Sequence, residues 1–505
     1  MMAAFVLAVL CLAPLREAWF HRDDFWLIAL ARFVDHPFDF WMYDHSAFYF
    51  FRPFTMTLWW GAVSLFGADP FPQYLLNFAL HMVVAIAFGS WMRAFSRSAN
   101  VGVAAAVLFA VHPIAVRTTM WLSDRFDLLA TAGTFTVCAL FLSRSEAMWR
   151  RPVFCVVALC SFFSKETAFA MLAPLIVHFA FRRDHCDIPA GRMKRDLLWV
   201  VALACVAFCW RYHLLSGRGV PILDDAVSHT LIRGAAIHAR AFSDAAFGVF
   251  NMHSALGVAA SMFVLVAMIW LGGRIFIGRE SNRVREGFYV GVALAVACVV
   301  LHAPIAVQNL DGDALSNYVP SVRLFHLALA VPFVLIVFPV CELLSRSRVA
   351  ARLALIAAFA GLWGSIAQSQ QFARDWTVTT NGTVKEVITS VSRQIDSQEI
   401  PDQCRIVVTG THDDAIEFRE ASDVMIKAIS RVPPSHLLRC VVVTERSPYF
   451  ALVARDLCSR EAWYPLQPIH PLVNPHPFGS ICYQFFATPD ASLLDQNTTV
   501  WIRYR

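Results

Sequence analysis

Residues 71–92 read FPQYLLNFALHMVVAIAFGSWM, an apolar run that is followed by Arg93 and Arg97. A helix of about 20 apolar residues crosses the hydrocarbon core of a bilayer, which is about 30 Å thick. This stretch therefore predicts a transmembrane helix. The composition agrees, since 58% of the 505 residues are hydrophobic and only 16% are charged, whereas soluble domains carry about 25% charged residues.

Similar apolar runs recur as far as residue 368. With a retained first span over 1–19, they predict an α-helical polytopic membrane protein of about 11 transmembrane helices. The stretch Phe54–Phe66 is short for a span, and we expect it to lie in the membrane interface. The predicted spans after residue 70 are 71–92, 101–117, 127–143, 152–164, 167–181, 197–212, 257–273, 287–303, 323–343 and 352–368.

Lys and Arg cluster in alternate connectors, after the spans 71–92, 127–143, 167–181, 257–273 and 323–343. The positive-inside rule places these connectors, and the N-terminus, in the cytoplasm. The segments that then face outward are 20–70, 112–127, 164–167, 212–256, 304–322 and everything after about residue 370.

The outward connectors also carry charged residues and His at membrane depth. Charges near hydrocarbon are costly and usually mark a substrate path or a site; the alternative is that each is a solvated loop end. Carboxylates beside Arg and Lys suit an anionic, lipid-linked substrate, because the cations bind phosphate and a carboxylate can act as general base. The candidates are Asp23, Asp24, Arg52, His112, Arg125, Asp127, Lys165 and Glu166.

Other substrate classes have little support in the sequence. No Gly-rich nucleotide-binding motif is present, and no Lys/Arg tract with interleaved aromatics suggests a nucleic-acid partner. No His/Cys cluster has zinc spacing. Asp311-Gly312-Asp313 has the DxD spacing with which some glycosyltransferases hold a divalent metal, although its neighbours are typical of a turn.

Several short motifs resemble, in order and spacing, those of the GT-C glycosyltransferases, most closely the membrane half of the tetratricopeptide-containing O-mannosyltransferases. The likeness covers roughly residues 10–376. The motifs are Asp23-Asp24, Phe51-Arg52-Pro53, Asn77 with His81, LFAVHP at 108–113, WLSDRFDL at 121–128, Ser164-Lys165-Glu166, NYVPS at 317–321, and Arg374-Asp375-Trp376.

The resemblance implies a GT-C fold and inverting sugar transfer from a polyprenyl-phosphate donor at the outer membrane face. It implies that Asp23 is the catalytic base, with Asp24 as the alternative, and that Arg52 and Lys165 bind the carrier phosphate. Asp127 becomes an acidic partner in the same cavity. The remaining matching positions are Arg125, His112, Tyr318 and Glu166, of which Glu166 is structural support.

The chain also departs from that family. No tetratricopeptide repeats follow residue 376, and the element at 317–321 lacks its leading Arg and one Tyr, so mannose does not carry over as the sugar. The short chain is more typical of a bacterial inner-membrane protein, with undecaprenyl phosphate as the carrier. The acceptor is a protein, a lipid or a glycan.

Several of these residues also have a purely structural interpretation. His112 before Pro113 could simply end a helix, His81 could be a hydrogen-bonded core residue, and Lys165-Glu166 could be a local ion pair. The loop 212–256 either covers the active site or is merely solvated. For the whole protein, the alternatives are a lipid or sugar transporter or flippase, and an inactive membrane scaffold.

Residues 377–505 have the composition of a small soluble α/β domain, which we expect on the extracytoplasmic side after a membrane domain of residues 1–376. A helix is predicted at Val384–Ile395, and strands at Arg405–Thr409, Val441–Thr444, Ile481–Phe486 and Thr498–Tyr504. This region holds Cys404, Cys440, Cys458 and Cys482, which either form two disulfides or stay reduced. Acceptor recognition and a structural cap are both open as its role.

Overall fold

A computed structural model of the protein describes most of its helical part. The described residues are 2–21, 23–34, 36–42, 51–181, 187–214, 282–310, 326–334, 348–400, 405–409, 425–432, 441–444 and 499–503. They are mostly α-helical, with three short β-strands in the C-terminal part. Tyr318, Asp311, Asp313 and most of the loop 212–256 lie outside the described residues.

The helices follow the apolar runs of the sequence. In chain order they are α1 (Met2–Leu12), α2 (Asp23–Phe33), α3 (Asp39–Met42), α4 (Pro53–Phe66), α5 (Pro70–Ser96), α6 (Ala99–Val111), α7 (Pro113–Met120), α8 (Arg125–Phe141), α9 (Arg150–Phe162), α10 (Leu172–Ala180), α11 (Ala190–Leu214), α12 (Asn282–Leu310), α13 (Arg348–Thr380) and α14 (Thr383–Asp396). Short helical turns lie at Ala13–Glu17, Leu122–Asp124, Glu166–Met171, Leu327–Leu329 and Ala330–Pro332.

Two predicted spans are interrupted. The run 101–117 is divided at His112-Pro113 into α6 and α7, which are bent by 54°. The cause is Pro113, which has no N–H to continue the hydrogen-bond ladder of α6 and instead begins α7. The run 167–181 begins as the 3-10 turn Glu166–Met171 and becomes regular only in α10.

Within the described residues, three helices are long and apolar enough to cross a membrane, or four if the bent pair α6–α7 counts as one span. The three are α5, α11 and the first part of α12. On α11 the residues Leu198, Val206 and Phe208 are more than half exposed, and exposed apolar side chains along a helix of this length are suited to lipid. The chain is therefore an integral membrane protein; the prediction of about 11 spans stays a prediction.

The chain divides into two compact units, which are described separately. Unit 1 comprises Met1–Arg16 and Tyr74–Asp375, and unit 2 comprises Glu17–Gln73 and Trp376–Arg505. The boundary between Asp375 and Trp376 lies beside the predicted domain boundary at residue 376. Unit 2, however, also includes the segment that carries Asp23, Asp24 and Arg52, so the acidic pair packs with the C-terminal part of the chain.

Unit 1 contains close helix packing through small residues. A Cβ atom added to Gly89 of α5 would lie 2.5 Å from the carbonyl oxygen of Gly102 in α6, and one added to Gly102 would lie 2.7 Å from the Gly89 oxygen. Such small-residue contacts let helix backbones approach closely, as is common in membrane proteins. Beside this contact, the ring of Phe88 packs against Phe109 and Phe135 at centroid distances of 5.3 and 4.9 Å.

In unit 2, the strands β1 (Arg405–Thr409), β2 (Val441–Thr444) and β3 (Thr499–Arg503) form a parallel sheet in the order β2-β1-β3. They lie where the β-branched runs predicted strands, and α14 matches the predicted amphipathic helix. The four C-terminal cysteines and the predicted strand 481–486 lie outside the described residues. A complete α/β domain over 377–505 stays a prediction.

Candidate active site

A buried ion pair joins two of the predicted site residues in unit 1. Lys165 Nζ lies 2.5 Å from Asp127 Oδ2, and each side chain is only 4% exposed. Asp127 stands in the first turn of α8, where the helix dipole favours a negative charge. Lys165 precedes the 3-10 turn Glu166–Met171. Burying two charges costs several kcal/mol per ion before their attraction is counted, so an apolar bundle rarely keeps such a pair without a role.

Arg125 is fully buried two residues before Asp127 in α8, and Asn77 of α5 orients it. The Arg125 Nε donates to Asn77 Oδ1 at 2.6 Å. The Asn77 amide in turn donates to the carbonyls of Thr119 and Trp121, at 3.2 and 3.3 Å. Asn77 thus ties α5 to the segment 121–128. We did not predict it as a site residue, although the spacing of Asn77 and His81 pointed to this helix face.

Three histidines accompany these residues. His81 is buried, and its Nε2 lies 2.8 Å from the Ala110 carbonyl, which confirms its interpretation as a hydrogen-bonded core residue. His112 does more than end α6, because its Nδ1 accepts from the Ile114 N–H and so caps α7. His326, which we did not predict, lies 3.2 Å from Thr131 Oγ1 and within electrostatic reach of Lys165.

Lys165 and Glu166, for which a local ion pair was considered above, each contact a different charged partner. Lys165 has extended backbone angles, φ −160° and ψ 152°, and successive side chains on extended backbone point to opposite sides. Lys165 therefore meets Asp127, whereas Glu166 pairs with Arg211 of α11. That contact joins the turn at residue 166 to the end of α11, as expected of a structural residue.

In unit 2, the two acidic residues at the start of α2 have different environments. The Asp24 side chain is fully buried, and its Oδ2 accepts a hydrogen bond of 3.0 Å from the His21 N–H. The Asp24 N–H donates to the His21 carbonyl at 2.9 Å. Asp23 is exposed. Asp24 thus stabilises the turn that starts the helix, and Asp23 offers the accessible carboxylate.

Arg52 lies in the same unit, directly before Pro53 and the start of α4, and it is only 7% exposed. The helices α2 and α4 pack against each other. The Trp60 indole of α4 donates to the Val34 carbonyl just after α2, at 3.0 Å. That Asp23 and Arg52 share one cavity with Asp127 and Lys165 stays a prediction.

A further buried network, which we did not predict, joins three helices at their ends next to the Arg-rich connectors. The Trp91 indole of α5 donates to His178 Nε2 of α10 at 3.2 Å. His178 Nδ1 lies 2.6 Å from Glu286 Oε1 of α12, and both side chains are fully buried. Since Nε2 accepts from Trp91, the ring proton is on Nδ1 and points to the Glu286 carboxylate. A separate buried pair joins Arg150 of α9 to Asp196 of α11.

No cluster of metal ligands is present in the part of the chain that the structure describes: no group of three or more His, Cys, Asp or Glu side chains there could hold an ion. The predicted metal candidates Asp311 and Asp313 are outside that part. A divalent metal stays the minor alternative that the DxD spacing of residues 311–313 raised.

The apolar helices and the buried polar residues between them define the class of protein: a helical integral membrane protein with charged side chains inside its helical unit. No family model and no curated protein matches the chain. Among solved structures, it is similar to the crystal structure of ArnT from Cupriavidus metallidurans bound to undecaprenyl phosphate. The TM-score is 0.40 and the identity 16%, over 90% of this chain and 88% of that one. A likeness of this size shows neither the family nor the activity of the chain.

Proposed function

We propose that this protein is a membrane glycosyltransferase with a GT-C fold. It moves a sugar from a polyprenyl-phosphate carrier, of which undecaprenyl phosphate is the first choice, to a protein, lipid or glycan acceptor outside the cytoplasm. The observation that carries the proposal is the buried Asp127–Lys165 pair. It joins two segments, WLSDRFDL and SKE, that also stand in the order found in the resembling family.

The proposed reaction uses one base and two cations. The Asp23 carboxylate takes the proton of an acceptor hydroxyl while that oxygen attacks the anomeric carbon. The bond from this carbon to the carrier phosphate oxygen breaks, and the phosphate leaves with the electron pair. Because the oxygen attacks from the face opposite the leaving group, the anomeric configuration inverts. Lys165 and Arg52 stabilise the negative charge on the departing phosphate.

Asp127 prepares Lys165 for this task. The ammonium group has three N–H donors, and the hydrogen bond to Asp127 Oδ2 uses one of them. The other two remain suited to phosphate oxygens.

The other predicted residues frame the same reaction. Arg125 and His112 contribute to substrate binding beside the pair, with Asn77 fixing the Arg125 side chain. Glu166 supports the turn through Arg211. Tyr318 contacts the donor in the proposal, and its position lies outside the described residues.

The direct cellular test is mass spectrometry of envelope glycans and glycoproteins from cells that produce the wild-type protein and from cells that lack it. We expect one or more glycans or glycoproteins to lose a mass equal to whole sugar units when the protein is missing. If the protein were a transporter or flippase, cells that lack it would instead accumulate the carrier-linked sugar on one leaflet. The purified protein would then transfer no sugar from a carrier supplied on both sides of the membrane. That second outcome would overturn the proposal.

A further inference from the structure

The residues on both sides of the Asp23-Asp24 pair are held by the chain that follows residue 375. Upstream of the pair, the Trp19 N–H donates to Thr380 Oγ1 at 3.0 Å in a buried position. The Asn381 side-chain amide donates to the Glu17 carbonyl at 2.6 Å. The His21 ring packs edge-on against Trp376, with ring centroids 5.0 Å apart. All of these contacts lie within unit 2.

Downstream of the pair, Arg32 fixes the other end of α2. Its Nη1 donates to the carbonyls of Lys427 and Ala428, at 2.7 and 3.0 Å, and its Nη2 donates to the Val432 carbonyl at 3.4 Å. The first two carbonyls lie in the last turn of a short helix over 425–429, and that of Val432 lies just beyond it. A helix end carries partial negative charge and unpaired carbonyls, and a guanidinium satisfies both.

The contact of Arg32 with these carbonyls is partly buried. Desolvation lowers the pKa of Arg32 from its usual value, and the nearby Asp396 carboxylate partly opposes that shift. Asp396 also accepts hydrogen bonds from Ser430 Oγ at 2.6 Å and the Arg431 N–H at 2.9 Å. One carboxylate at the end of α14 thus holds the segment to which Arg32 is bound.

We propose that Arg32, Thr380, Asn381 and Trp376 are positioning residues that fix the Asp23 carboxylate, and that the C-terminal part of the chain serves catalysis in this way. This inference rests on the proposed function. It assigns a role to the C-terminal part for which the sequence left acceptor recognition and a structural cap equally open. Through Thr380 and Asn381 on one side and Arg32 on the other, both ends of the acid-bearing segment are tied to residues after 375.

The expected signature is a loss of turnover without a loss of donor binding. A base displaced by about 1 Å can lower a rate about 100-fold, whereas Lys165 and Asp127 of unit 1 are untouched by these changes. We expect Arg32→Gln and Thr380→Val to lower kcat about 10- to 100-fold. The donor KM, and the binding of undecaprenyl phosphate seen by native mass spectrometry, should change less than about twofold.

The matched control is Arg431→Gln. Arg431 is an exposed arginine in the same segment, and its hydrogen bond to Asp396 is made by the backbone N–H, which the substitution keeps. Its kcat should equal that of the wild type. Arg32→Lys keeps the charge but loses the fork of donors, so it should recover only part of the rate.

Hydrogen exchange of residues 17–33 in the full-length protein provides a second measurement that needs no activity. Exchange should be faster in Arg32→Gln and Thr380→Val and unchanged in Arg431→Gln. Unchanged exchange in the first two, or faster exchange with a wild-type kcat, would overturn the inference. If the wild-type protein transfers no sugar from any carrier, the proposed function fails. Should Arg32→Gln fail to fold, Asn381→Ala takes its place with the same two expectations. It removes the side-chain hydrogen bonds of Asn381 with the Glu17 carbonyl and with Lys385 Nζ.

Discussion

Lys165 and Asp127 meet at 2.5 Å inside unit 1, although 38 residues separate them in the chain. Removing one partner of a buried ion pair leaves an uncompensated charge, whereas removing both leaves an apolar contact. This asymmetry separates the effect of the pair on stability from its proposed role in catalysis.

We predict that Lys165→Met and Asp127→Leu each lower the free energy of unfolding by about 3–5 kcal/mol, and that the double variant is close to the wild type in stability. All three should lack transfer activity. Thermal unfolding in detergent, followed by size-exclusion chromatography, measures the stability. Arg144→Gln is the control, because the Arg144 side chain is 61% exposed in its ion pair with Asp187, and surface pairs contribute about 0–1 kcal/mol. Equal losses in the single and double variants would contradict a direct pair.

Asn77→Ala tests the orientation of Arg125. The substitution removes the acceptor of the Arg125 Nε hydrogen bond and the donor to two carbonyls, and we expect a loss of about 2–3 kcal/mol of stability. Ser90→Ala on the same helix is the control, since Ser90 is exposed and bonds only to the Ile86 carbonyl of its own helix. If Asn77→Ala has the same melting temperature as Ser90→Ala, Asn77 does not hold Arg125.

Gly102→Ala tests the close approach of α5 and α6. The new Cβ would lie 2.7 Å from the Gly89 oxygen, so the helices must separate, at a cost of about 1–3 kcal/mol. Gly61→Ala on α4 is the matched control, because a Cβ there meets nothing within 4 Å. Helix propensity alone should leave Gly61→Ala as stable as the wild type or up to about 1 kcal/mol more stable. Destabilisation by both substitutions to the same extent would argue against a specific contact.

Glu286→Ala tests the inner network of Trp91, His178 and Glu286. The His178 imidazole would keep its buried N–H donor and lose the acceptor 2.6 Å away. We expect a loss of about 1–3 kcal/mol of stability and no change in the donor KM, since this network lies apart from the residues proposed to bind substrate. Glu286→Gln, which keeps an oxygen acceptor, should lose less. A raised donor KM in either variant would place the network in the substrate path.

The sequence predicted elements well where the signal is local. The helices α5, α8 and α9 begin and end within a few residues of the predicted spans 71–92, 127–143 and 152–164. The agreement arises because the apolar residues that define each run also form the helix. The bend at His112 was harder to predict from the sequence. Pro113 is apolar and does not interrupt the apolar run, but it lacks the N–H that would continue the hydrogen bonds of the helix.

Long-range partners could not be predicted in the same way. Nothing in one sequence specifies that Arg32 meets the carbonyl of Lys427, or that Arg150 meets Asp196, because both pairs depend on how distant helices pack. The different environments of Asp23 and Asp24 are a similar case. Adjacent carboxylates look alike in sequence, and only the turn at His21 buries one and leaves the other exposed.

The proposed role of Asp23 as the base of a sugar transfer can be tested with purified protein in lipid nanodiscs. The measurement is the rate of radiolabelled sugar transfer from undecaprenyl-phosphate-linked donors to an envelope extract, for the wild type, Asp23→Asn and Asp24→Asn. We predict that Asp23→Asn abolishes transfer at wild-type stability. We expect a smaller loss for Asp24→Asn, whose amide oxygen can still accept from the His21 N–H. Transfer by Asp23→Asn at the wild-type rate would show that Asp23 is not the base.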